Sequence, residues 1–82
     1  MTIYKYPIIN VDDVVTLEMP DGAQVLHVGE QLGLICIWAL VNPYAQIAPR
    51  TFAIRGTGHP VGSGLTYLGT AHINPFVWHI FE

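Results

Sequence analysis

The chain has 82 residues, of which 51% are hydrophobic and 11% charged. That is one small domain with more apolar side chain than a core of this size encloses, so part of it is expected on the surface or between subunits of a homo-oligomer. The net charge is −3 and the cations number three, Lys5, Arg50 and Arg55, which argues against polymeric nucleic acid or an anionic membrane surface as a partner.

In chain order the sequence predicts strands and turns. Ile3 to Ile8 is the first strand, with Tyr4, Tyr6 and Ile8 on one side and Pro7 restricting it to an edge or an end. Asn10 to Asp13 is a turn, and Val14 to Met19 is a second strand, stopped by Pro20-Asp21-Gly22. Gln24 to Gln31 is the third, and Leu32-Gly33 closes a two-residue hairpin onto a fourth, Leu34 to Val41. The fourth is apolar on both faces, with Leu34, Cys36, Trp38 and Leu40 on one and Ile35, Ile37, Ala39 and Val41 on the other. That pattern predicts a central strand or one covered by another subunit. Asn42-Pro43 ends it, and Tyr44 to Pro49 reads as a longer connection with room for one helical turn. Arg50 to Arg55 is the fifth strand, Gly56 to Gly64 a loop, Leu65 to Ile73 the sixth strand, Asn74-Pro75 a turn and Phe76 to Phe81 the seventh. No stretch carries a helical period. The expectation is an all-β fold over residues 1–82, a small single-domain β-sandwich or barrel of six or seven mostly antiparallel strands. No apolar run reaches the roughly 18 residues of a spanning helix, and the N-terminus lacks the apolar core of a signal peptide.

The chemistry concentrates at Arg55-Gly56-Thr57-Gly58-His59-Pro60. Glycines let the backbone approach a ligand, and successive N–H groups beside a guanidinium and an imidazole suit an anion or a planar ring. Arg55, Thr57, Gly58 and His59 are therefore the candidate ligand contacts. Arg50 is a second candidate cation, and Tyr44 and Trp78 are candidate rings for stacking. Trp38 and Phe52 read as core. Catalytic signatures are missing. Ser63, the single serine, lies in Gly62-Ser63-Gly64, which is not a nucleophile elbow. Cys36, the single cysteine, reads as a small buried hydrophobe. His72 and His79 flank the last turn, but two histidines do not make a metal site. No catalytic residue, metal or cofactor is expected.

The run Cys36-Ile37-Trp38-Ala39-Leu40-Val41-Asn42-Pro43 is followed by Arg50-Thr51-Phe52, Gly56-Thr57-Gly58-His59-Pro60, Tyr67-Leu68-Gly69-Thr70 and Val77-Trp78-His79-Ile80-Phe81. Together with the opening Ile3-Tyr4-Lys5-Tyr6, Glu18-Met19-Pro20 and Leu26-His27-Val28, it resembles a widespread family of small tailed-bacteriophage proteins of unknown function. Relatives tend to carry Asn-Gly where this chain has Leu32-Gly33. The resemblance implies a phage origin and expression in the host bacterial cytoplasm. By analogy of context it suggests an antagonist of host defence that sequesters a small phosphorylated signal, a cyclic oligonucleotide, without being an enzyme. The alternative expectation is a protein–protein interaction module or a phage structural or accessory part that binds a host or phage protein.

Overall fold

A computed structural model describes residues 1–82. Seven strands form: β1 (Thr2–Ile8), β2 (Val14–Pro20), β3 (Gln24–Gln31), β4 (Leu34–Val41), β5 (Ile47–Gly56), β6 (Tyr67–Ile73) and β7 (Phe76–Phe81). They build two antiparallel sheets, β1-β4-β3 and β2-β5-β7-β6. The fold is all-β, as the alternation of β-branched and aromatic residues requires. The chain changes sheet after β1, β2 and β4, so β1 finds β4, and β2 finds β5, across intervening strands.

The doubly apolar β4 is the central strand of its sheet. Ile35, Ile37, Ala39 and Val41 are fully buried between the sheets, against Phe52, Ile54, Met19 and Ile80 from the facing layer. No polar or charged side chain is buried there. The other face of β4 is different. Cys36 is covered, but Leu34, Trp38 and Leu40 are only half-buried, so Trp38 lies outside the core that was expected to hold it. Ile3 pairs with Leu40, and Lys5 and His27 both pair with Trp38, which extends this outer surface across the sheet. Pro7 lies in β1, an edge strand, where its missing N–H costs no ladder bond.

Along one side the sandwich closes. The edge strands β3 and β6 run against each other, and a Cβ placed on Gly69 would come within 2.7 Å of the Val28 Cβ. Gly69 follows an irregularity in β6 between Tyr67 and Gly69, so the bulge and the glycine together let the two edges meet.

Three local expectations change. Residues 43–45 turn without forming a helical turn, and β5 begins at Ile47 rather than Arg50. Pro49, expected in the connection, sits in the ladder opposite Glu18. Over that stretch β5 pairs with β2 alone, because its pairing with β7 begins at Ala53, and the side without a neighbour asks for no N–H. β6 begins at Tyr67 rather than Leu65, although Thr66 still exchanges two backbone hydrogen bonds with Glu82. The hairpin between β3 and β4 is a two-residue loop, with Gln31 paired to Leu34, Leu32 at φ 54° and Gly33 at φ 80°.

Candidate functional site

β5 ends at Gly56, and the next three residues fold back on it. The His59 N–H donates to the Gly56 carbonyl at 3.0 Å, and the Gly56 N–H donates to His59 Nδ1 at 3.2 Å. This double closure needs Nδ1 unprotonated, so the neutral ring carries its proton on Nε2. Gly58 takes φ 93°, a conformation that a side chain resists, and the reversal depends on it. The imidazole lies over Gly56, where a Cβ would stand 3.0 Å from His59 Cε1 and 3.6 Å from the Trp78 ring. Gly56 is thus the gap that lets His59 and Trp78 approach the strand end together.

Arg55 holds this loop to the rest of the molecule. Its Nε donates to the Pro60 carbonyl at 3.1 Å, and its Nη1 donates to the carbonyls of Asp13 (2.8 Å) and Ile54 (3.0 Å). The guanidinium is first of all a staple between the 56–60 loop and the turn before β2. Its Nη2 makes no hydrogen bond, and Arg55 lines a concavity together with Asp13, His59 and Pro60.

Two further concavities meet at His59. A groove of about 270 Å³ runs between the Gly56–His59 turn and the Pro75–Trp78 segment. Phe76 and Trp78 form its aromatic wall, with ring centroids 5.4 Å apart and planes at 25°. Trp78 is half-buried and packs on the core, whereas Phe76 is 57% exposed. A second hollow of about 220 Å³, which shares His59 and Trp78 with the first, carries Asp12 and Asp13. One end of the sandwich therefore offers an aromatic wall, an imidazole and a threonine. Two carboxylates and one partly engaged guanidinium stand nearby.

Sequence reasoning missed the outer face of the β2-β5-β7-β6 sheet. There Thr57 Oγ1 lies 2.9 Å from His79 Nε2, His79 Nδ1 lies 3.0 Å from Thr70 Oγ1, and Thr70 Oγ1 lies 2.6 Å from the Tyr67 hydroxyl. Register brings these groups together. Thr70 pairs directly with His79, and Arg55, opposite His79 on its other side, delivers the chain into Thr57 two residues on. Nothing in the linear order signals this, because β5 and β7 become neighbours only through the fold.

Among the predicted residues, Arg55, Thr57, Gly58, His59 and Trp78 gather at this end. Arg50 and Tyr44 do not. Arg50 lies toward the start of β5 and makes a two-pronged pair with Glu82 (Nε–Oε2 2.6 Å, Nη2–Oε1 2.9 Å), while its Nη1 donates to the Ala23 carbonyl at 2.7 Å. The hydrogen bond to Glu82 pushes the Arg50 pKa above its ordinary value, which keeps a partly buried guanidinium charged. Tyr44 is 95% exposed in the β4–β5 connection, at the opposite end of β5. His72 faces Val77 rather than His79, and no group of three histidine, cysteine or acidic side chains is placed to hold a metal. No helix is long and apolar enough to cross a membrane.

A family model described as a domain of unknown function (DUF7352) matches residues 1–82. No curated protein and no solved structure matches the chain.

Proposed function

The chain belongs to the DUF7352 family, and from the geometry of the His59 end we propose that it is a non-enzymatic binding protein that takes a planar ring into the Phe76–Trp78 groove. The observation that carries this reading is the near-parallel aromatic pair with an exposed outer ring, faced across the groove by Thr57 and His59. A ring that slides against Phe76 extends an existing stack, and stacking of a base on an aromatic side chain contributes about 1–3 kcal/mol. Polar atoms on the ring edge then meet the imidazole and hydroxyl. Arg55, whose Nη2 makes no hydrogen bond, lines a concavity that shares His59 with the groove, which supplies a donor for a phosphate attached to that ring. A nucleotide signal fits these requirements. The setting we propose is a bacteriophage protein in the host cytoplasm that sequesters a cyclic oligonucleotide of antiviral defence.

Arg55 is a poor probe because three backbone carbonyls depend on it. Phe76→Ala is cleaner, since it removes an exposed ring and leaves the core intact. Thermal-shift binding across cyclic di- and trinucleotides and cyclic ADP-ribose isomers is expected to give one selective stabilisation. Heat release should return that ligand unchanged, and Phe76→Ala should weaken its binding about tenfold or more. Absence of any shift, or a shift that Phe76→Ala leaves alone, overturns the assignment.

A second reading rests on the opposite layer. The outer face of β1-β4-β3 presents Ile3, Leu34, Trp38 and Leu40, with Lys5 as a formal charge on it. Such a face suits a protein–protein contact with a second copy or with a host or phage protein. Pulldown of one stoichiometric partner by a chain that binds no nucleotide would favour it.

A further inference from the structure

We infer that Thr57 is an acyl-accepting nucleophile with His79 as its base, directed at small activated aryl esters. This goes beyond the holding of an intact ligand. The hydroxyl sits on a glycine-flanked, exposed turn, the position from which a nucleophile reaches a substrate. Its Oγ1 is 2.9 Å from His79 Nε2, inside the range for a nucleophile and its base. The imidazole is half-buried and oriented from behind by Thr70 Oγ1, 3.0 Å from Nδ1, which the Tyr67 hydroxyl fixes at 2.6 Å. A base aligned by a third group and pointed at a hydroxyl is the arrangement that activates serine and threonine on unrelated folds. Thr57 also lines the Phe76–Trp78 groove, so the turn that carries the nucleophile borders a surface on which an aromatic leaving group can rest.

The step balances without a cofactor. In the productive tautomer Nδ1–H donates to Thr70 and Nε2 accepts from Thr57. As Oγ1 bonds to the acyl carbon, its proton passes to Nε2. The carbon–oxygen bond to the leaving phenol then breaks, and the phenolate departs with the bonding pair and takes the proton from Nε2. The product is an acyl ester of Thr57 and a free phenol.

The test is incubation of the full chain with p-nitrophenyl acetate, read by p-nitrophenol release and by intact and peptide mass spectrometry. A single acetyl group on Thr57 is expected, retained in Thr57→Ser and absent in Thr57→Ala. His79→Gln keeps a hydrogen-bonding side chain in the ladder but cannot accept the proton. It is expected to acetylate at least about 100-fold more slowly, with an unchanged melting temperature. Acetyl found on Lys5, Tyr67, a histidine or the N-terminus instead, or the same adduct and rate in Thr57→Ala or His79→Gln, overturns the proposal. Binding of an intact ring is read separately by thermal shift, so either result can fail without the other.

Discussion

At the scale of single residues, Leu32 is the one non-glycine residue held at positive φ. It is 90% exposed and leaves the left-handed strain uncompensated by packing. Glu30 offsets part of it by accepting the Gly33 N–H at 2.7 Å. Asparagine tolerates this conformation where leucine costs about 1–2 kcal/mol, so Leu32→Asn is expected to stabilise the protein by about 1 kcal/mol in a urea titration. No loss of midpoint and no gain would show that the turn is already relaxed. Side chains whose partners are backbone neighbours were legible from sequence at this scale, and those with distant partners were not. The Gly56–His59 turn could be anticipated because its four residues are contiguous. The capture of Arg50 by Glu82 could not, since only the fold brings the start of β5 to the end of the chain. The same holds for His79, whose sequence neighbours Trp78 and Ile80 point to the opposite face.

At the scale of elements, the punctuation of β-branched and aromatic runs by turn residues located all seven strands, β4 included although it is apolar on both faces. Boundaries failed where a residue's usual meaning was overridden by its ladder neighbours. Pro49 is tolerated in β5 because that stretch has a partner on one side only. The closest approach of two elements is that of β3 and β6 at Val28 and Gly69. Val28 is β-branched and buried, so it cannot swing aside from a new methyl. Gly69→Ala is therefore expected to cost about 1–3 kcal/mol, with Val28→Ala in the same chain recovering part of that loss. A fully additive double mutant would show that the two edges do not press on each other. Because β6 also carries Tyr67 and Thr70, the same substitution should loosen the hydroxyl chain that orients His79.

At the scale of the whole molecule, the sandwich hides its most apolar strand on one face and leaves the other half-covered. Light scattering behind size exclusion is expected to report an oligomer. Leu40→Glu, which places a charge in the middle of that outer face, is expected to shift it to monomer without changing the far-ultraviolet circular dichroism. A monomeric wild-type chain would leave the face available to a different protein. The order of the strands has a further consequence, in time rather than in energy. β3–β4 and β6–β7 are hairpins that close over a few residues, but β1 must wait for β4 and β2 for β5. The slow event in folding is then the joining of these two interleaved pairs, and all-β chains dominated by such distant pairings fold in roughly milliseconds to seconds. Stopped-flow refolding of Leu32→Asn locates that event. A hairpin already formed at the barrier gives faster refolding with unchanged unfolding, and a hairpin that closes afterwards gives slower unfolding alone.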